Sequence, residues 1–138
     1  MVTNFAGNIA SSEAWEILSS DENSRLVDVR TPIELKFVGA PDLSGIGKAL
    51  VAIPLVDVNG SPNQNFMAEI EALNQPKDSP LIFLCRTGGR STQAAMTAAQ
   101  MGYKTYNFAN GFCGDLDANG HRGTLNGWVA ADLPWRQV

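Results

Sequence analysis

A thiol, two guanidinium groups and two glycines fall within one short run, Cys85-Arg86-Thr87-Gly88-Gly89-Arg90-Ser91. Residues of these types at this spacing suit nucleophilic chemistry on an anionic partner. An ordinary cysteine titrates near ~8.5, so only a few per cent is thiolate at neutral pH, and each unit of depression corresponds to about 1.4 kcal/mol. Backbone N–H groups in a tight turn, the positive end of a following helix, and the side chains of Arg86 and Arg90 all favour the anion. Gly88 and Gly89 allow the backbone to curl so that several N–H groups converge without a Cβ in the way. The run reads as an anion cradle around a sulfur.

The flanking residues must position it. Leu81-Ile82-Phe83-Leu84, bounded by Pro80, predicts a buried strand of a parallel sheet that ends at Cys85. Ser91 suits an N-cap, Ala94, Ala95, Ala98 and Ala99 favour helix, and Gly102 sits where the helix stops. Cys85 is thereby placed at the carboxyl end of a strand with a helix N-terminus aimed at it, where open α/β sheets hold their ligands.

On these residues the segment resembles the active-site loop of rhodanese-type sulfurtransferases. Four residues separate Cys85 from Arg90. Protein-tyrosine and dual-specificity phosphatases place one more between nucleophile and arginine, which widens the cradle to a tetrahedral phosphate, so the smaller ring suits a terminal sulfur. Asp28-Val29-Arg30 followed by Glu34 resembles a second signature of the same family, and the likeness runs from about Leu26 to Trp128. It implies an α/β fold, a rhodanese-like doubly wound central parallel sheet with helices on both faces, as a single domain over residues 1–138.

The resemblance also implies the site. Cys85 would be the catalytic residue that accepts a sulfane sulfur as a persulfide. Arg86, Thr87, Gly88, Gly89, Arg90 and Ser91 would form the anion cradle, with Asp28, Arg30 and Glu34 as its supporting shell. Arg86 is expected to face outward and attract the donor, whereas Arg90 either touches the donor or braces the loop by pairing with Asp28 or Glu34. The implied partners are a small anionic sulfur donor such as thiosulfate and a cyanide or thiol acceptor; no cofactor and no metal are implied. Gly39-Ala40-Pro41-Asp42 departs from the family's Gly-His-Ile-Pro-Gly-Ala pattern, so no role is carried over to it.

Along the chain, Ser11 or Ser12 is expected to cap a first helix with Glu13 in its first turn and Ala14, Trp15 and Leu18 on one face. Leu26-Val27-Asp28-Val29-Arg30 predicts a strand; a generic reading leaves Asp28 and Arg30 exposed, whereas the resemblance puts them near the cradle. Thr31-Pro32-Ile33-Glu34 is a capping box with proline at the first helical position, so Glu34 either caps that helix or pairs with an arginine such as Arg90. Residues 39–47 read as loop and 49–55 as a strand ended by Pro54. Phe66, Ile70 and Leu73 recur at helical spacing before Pro76, Lys104 to Ala109 reads as a strand, and Trp128 and Trp135 flank a last helix or turn packed on the core.

Two further features invite chemistry. Asp115-Leu116-Asp117-Ala118-Asn119-Gly120 matches the first half of a calcium loop, but the twelfth position is Asn126 rather than a bidentate glutamate, so a polar turn is the expectation. Cys113 is either a small buried hydrophobe or a resolving thiol for Cys85.

Composition bounds the rest. A chain of 138 residues, 44% hydrophobic, can bury a core, and a net charge of −4 with ten basic residues argues against nucleic acid or an anionic membrane as main partner. Two cysteines make no disulfide framework and no zinc pattern. Met1 to Phe5 lacks the basic start and apolar core of a secretion leader, and no apolar run spans a bilayer; a reducing cytoplasm fits a reactive thiol. A cysteine protease needs a histidine, and the single one, His121, falls in a polar loop. The remaining alternatives are an inert core cysteine, a phosphatase or arsenate reductase with a related cradle, and a rhodanese-like module that senses oxidants or binds a partner.

Overall fold

The chain enters through β1 (Phe5–Ile9), which no sequence pattern announces, and continues through α1 (Ser11–Ser20), β2 (Arg25–Asp28), α2 (Pro32–Val38) and β3 (Ala40–Pro41). A 3₁₀ turn at Ser44–Ile46 leads to β4 (Val51–Ala52), α3 (Phe66–Glu71), β5 (Leu81–Leu84), α4 (Gly89–Gln100), β6 (Thr105–Phe108), α5 (Gly127–Ala130) and β7 (Trp135–Arg136). This computed structural model describes residues 5–137; the expectation that the chain carries no secretion leader rests mainly on residues 1–4, which lie outside them. Among the described residues no helix is long and apolar enough to cross a membrane.

Five strands form one parallel sheet in the order β1-β6-β5-β2-β4, and β3 pairs with β7 in a small antiparallel ribbon. Strand β5 is central and fully buried, which is why its residues need no polar alternation. Successive side chains point to opposite faces. Leu81, Phe83 and Cys85 therefore join the core with Phe66 and Ile70 of α3 and Ala94, Ala95 and Ala98 of α4. Ile82 and Leu84 join the other core, with Ala14 and Leu18 of α1 and Trp128 of α5. The sheet is thus covered on both faces, the doubly wound arrangement expected from the sequence.

Several expectations are corrected. Helix α1 starts one residue early: Ala10 is its N-cap with no side-chain cap, and Ser11 and Ser12 lie inside its first turn. Helix α4 starts at Gly89 with Gly88 as N-cap, so Ser91 is not the cap; its buried hydroxyl turns inward instead. Pairing in β2 stops at Asp28, and the edge strand β4 is only two residues long, although Ile53 N–H still donates to Asp28 O at 3.0 Å and Leu55 N–H to Val29 O at 3.1 Å. Asp28 and Arg30 are both 0% exposed, against the generic reading of a solvated pair. Trp128 is buried and donates from Nε1 to Pro134 O at 2.7 Å, but Trp135 is 41% exposed and meets Phe112 only edge-on.

The segment after β6 packs directly on the back of the cysteine loop. Phe112 N–H donates to Cys85 O at 2.8 Å and Cys113 N–H to Arg86 O at 2.9 Å. That approach needs a glycine at 111: its φ is +65°, and a Cβ there would lie 2.6 Å from the Arg86 carbonyl and from Cys85 O. Gly120 has a similar φ of +76° but no atom within 4 Å of a Cβ. Gly120→Ala is expected to cost about 1 kcal/mol for the left-handed backbone alone, and Gly111→Ala about 3 kcal/mol or more because rigid backbone must also move. Chemical denaturation of the two variants compares them directly; equal losses would mean that the close approach contributes nothing.

Candidate active site

Cys85 follows β5 immediately and is 1% exposed. Its Sγ accepts a hydrogen bond from Gly88 N–H at 3.0 Å and lies within hydrogen-bond distance of the Ser91 hydroxyl, 3.2 Å from Oγ. The turn that aims Gly88 N–H back at the sulfur requires φ +119° at Gly88, a value that disfavours any residue with a Cβ. Gly89, by contrast, has no atom within 4 Å of a Cβ and no left-handed φ, so the turn itself does not demand it. Arg86 and Thr87 are exposed, and Ser91, in the first turn of α4, is buried.

The sequence left Arg90 two carboxylates to choose from. It grips Glu34 with both arms, Nη1 to Oε1 at 2.7 Å and Nη2 to Oε2 at 2.9 Å. Asp28 is taken by Arg30, whose Nε and Nη2 reach it at 3.0 and 2.7 Å and whose Nη2 also donates to Gly39 O at 2.9 Å. Parity in β2 explains the division, because Asp28 shares the face of Leu26 while Cys85 belongs to the α4 side. Arg30 accordingly lies over the Phe112 ring, 4.4 Å from its centroid. Asp28, Arg30, Glu34 and Arg90 therefore form two separate pairs, one beside the Cys85 loop and one behind it.

Glu34 performs both tasks that the sequence offered as alternatives. The capping box is formed, with Thr31 Oγ1 accepting from Glu34 N–H and Glu34 Oε1 accepting from Thr31 N–H at 3.2 Å, while the same carboxylate holds Arg90. Hydrogen bonds from Arg90 and then from Thr31, partly opposed by burial, lower the carboxyl from an ordinary 4.5 to about 2. The same bonds raise Arg90, which also feels the charge of Cys85 and Asp28.

Asn8, Asn107 and Gly111 went unassigned in the sequence. Asn107, in β6, is 4% exposed; its Oδ1 accepts from Ser91 Oγ–H and its Nδ2 donates to Asn8 Oδ1 at 2.9 Å. The available signal was an asparagine inside a short apolar strand, Tyr106-Asn107-Phe108. Cys113 is half-buried and packs with the α1 and α5 core, on the face opposite Cys85. In the Asp115 to Gly120 loop, Asp117 Oδ1 accepts from Asn119 N–H at 2.8 Å and His121 N–H at 2.9 Å, and Oδ2 from Thr124 Oγ1–H at 2.7 Å. Its carboxylate closes a polar turn. Among the described residues no group of three or more His, Cys, Asp or Glu is placed to hold a metal ion.

A thiol at a strand end, within a turn that donates to it and beside a braced arginine, agrees with the resemblance seen in the sequence. The chain belongs to the rhodanese-like family: residues 6–138 match the family model described as the STR4 middle domain. It is 37% identical to protein RP600 of Rickettsia prowazekii (strain Madrid E), over 94% of this chain and 96% of that one. A protein of Allochromatium vinosum named sulfurtransferase is 30% identical over 69% of this chain and 73% of its own length. Among solved structures, that of Rv0390 from M. tuberculosis superposes with a TM-score of 0.88 at 46% identity, covering 97% of this chain and 99% of the other.

The Glu34 pair gives a pH test. Its depressed carboxyl contributes stability that is complete above about pH 4.5 and is lost as pH falls toward about 2. Glu34→Gln keeps a side chain able to serve the capping box but removes the charge. With the pair 28% and 23% exposed, solvent screens it, and the expected loss at neutral pH is about 1 kcal/mol. Thermal unfolding from pH 7 to 2 should show that difference shrinking as pH falls; a constant difference would refute it.

Proposed function

We propose that this protein is a sulfurtransferase that moves a sulfane sulfur from a small anionic donor such as thiosulfate to cyanide or a thiol through a persulfide on Cys85. The observation that carries the reading is the setting of Sγ, which accepts from Gly88 N–H and has the Ser91 hydroxyl within hydrogen-bond distance, in a loop with only four residues between Cys85 and Arg90. The Cys85 thiolate attacks the outer sulfur of thiosulfate, an S–S bond forms, and the bond to the sulfonate breaks, so sulfite leaves with the electron pair. The terminal sulfur then carries the negative charge, which donors in the turn can hold. Attack on it by cyanide forms a C–S bond, breaks the S–S bond and returns the thiolate, giving ping-pong kinetics.

The other loop residues take distinct parts in this proposal. Arg86, exposed beside the nucleophile, attracts the anionic donor, since a guanidinium fork matches oxyanions. Arg90 braces the loop through Glu34, and Asp28 with Arg30 supports it from behind. Thr87, Gly88, Gly89 and Ser91 complete the cradle, with no cofactor or metal assigned. The engagement of Arg90 by Glu34 counts against the phosphatase and arsenate reductase readings, whose arginine must meet the oxyanion. Residues 1–138 are proposed as one rhodanese-like domain, working in a reducing compartment such as the cytoplasm, where two free cysteines persist. Neither nucleic acid nor a membrane is proposed as partner, given the net charge of −4.

A second reading, a redox-sensing or partner-binding module without turnover, draws on the 1% exposure of Cys85, which leaves little room for a bulky donor. Thiosulfate-dependent thiocyanate formation separates the two. After thiosulfate, mass spectrometry is expected to find one added sulfur atom on the Cys85 peptide and none in Cys85→Ser; the same gain in that variant would overturn the assignment. Arg86→Glu is expected to raise KM for thiosulfate about tenfold with kcat near native, and to weaken its salt dependence. A fall in kcat with KM unchanged would instead put Arg86 in the chemical step.

A further inference from the structure

Ser91 Oγ carries one hydrogen but lies within bonding distance of three acceptors: Cys85 Sγ and Gly88 O, each at 3.2 Å, and Asn107 Oδ1. Gly88 O has other donors, Thr92 N–H at 3.2 Å and Thr92 Oγ1–H at 2.7 Å. The contest for the Ser91 hydrogen is therefore between the sulfur and Asn107. In the arrangement recorded, Asn107 presents Oδ1 to Ser91 and donates from Nδ2 to Asn8. When Ser91 gives its hydrogen to Asn107, its oxygen is free to accept from a protonated sulfur. The bonds then run outward, S–H to Ser91, Ser91 to Asn107, Asn107 to Asn8.

An anionic sulfur needs the opposite direction. Ser91 must donate to the sulfur, and the Asn107 oxygen it abandons would be buried without a partner, at a cost of about 1–3 kcal/mol. The two ends of an amide have the same shape. Rotating the Asn107 amide by half a turn places Nδ2 on Ser91 Oγ and Oδ1 toward Asn8. Asn8 is exposed, so its own amide can turn in water to donate to that oxygen. The whole chain reverses with every group still paired.

We propose that Asn8, Asn107 and Ser91 form a reversible hydrogen-bond wire whose direction follows the charge on the Cys85 sulfur, which makes Asn107 and Asn8 positioning residues for the anionic states of this site. No proton travels along the wire; the thiol proton goes to solvent and only hydrogen-bond polarity changes. Arg90 adds a Coulombic preference for an anion at the sulfur, but among the described residues no charged side chain donates a hydrogen bond to it. Arg90 is held by Glu34, Arg30 by Asp28, and Arg86 projects into solvent. The inference rests on the reading of Cys85 as a sulfur that works as an anion.

The test reads the thiolate itself, with no sulfur donor present, so its failure is distinct from a failure of persulfide formation. The probe is the ultraviolet thiolate absorbance at neutral pH, taken as the difference from Cys85→Ser in each background. Asn107→Asp has the native shape but only accepts, so it pins the wire outward and is expected to lower the thiolate fraction at least about fivefold. Asn107→Leu leaves Ser91 free to donate to sulfur and is expected to keep the native fraction or raise it. Asn8→Asp, at an exposed position, pins Asn107 from outside and is expected to lower the fraction about twofold, even at about 1 M salt where a purely Coulombic effect is screened. Asn8→Asp keeps the question decidable if Asn107→Asp does not fold. A native thiolate signal in folded Asn8→Asp, or an Asn107→Leu signal as low as that of Asn107→Asp, would overturn the wire.

Discussion

A guanidinium with no exposure to solvent must be neutralised where it stands, and much of this molecule is arranged around that demand. Arg30 has both carboxylate oxygens of Asp28, the carbonyl of Gly39 and the face of Phe112 about it. Removing one member of such a buried pair typically costs about 3–5 kcal/mol, because the remaining charge stays uncompensated. These contacts are also structural ties. Gly39 leads into the β3–β7 ribbon, and Phe112 N–H donates to the carbonyl of Cys85. One buried cation therefore joins the end of β2, the ribbon and the back of the cradle.

The three arginines near the site show how environment divides one chemistry into separate roles. Arg30 is sealed in the interior. Arg90 is partly exposed and fixed by a two-armed contact with Glu34, which joins the first turn of α4 to the first turn of α2. Arg86 stands in solvent, free to meet an anion. The proposed chemistry needs this division. A cradle that relied on mobile cations would lose their effect to water and salt, whereas the Gly88 N–H is a fixed donor at the sulfur and the Ser91 hydroxyl is buried beside it.

Sheet parity explains why the two ion pairs do not mix. Alternation sends Cys85 to the α3 and α4 side and Asp28 to the α1 and α5 side. Cys113 falls with the second group, so the two thiols are divided by the sheet although their backbones run together. Such a separation cannot be read from the distance between residues along the chain. It follows from counting strand positions once the pairing is known.

The residues alone determined the central events. The unbroken apolar run of β5 gave a buried parallel strand, the Thr31 to Glu34 box gave the start of α2, and the alanines gave α4, because each signal is local and agrees with its surroundings. The loop around Cys85 was legible for the same reason, and the rhodanese-like family through the resemblance of its motifs. Strands β1, β3 and β7 were not: they are short or carry little alternation, and they exist only through partners distant in sequence. Ser91 read as a helix cap because serine favours that position, but the left-handed turn at Gly88 takes the cap and leaves its hydroxyl to the sulfur and Asn107. Tertiary structure alone decided which carboxylate each arginine holds and placed Asn107 and Asn8 in line with the thiol. Sequence spacing fixes what can lie on one element, whereas these contacts depend on which faces of separate elements are brought together.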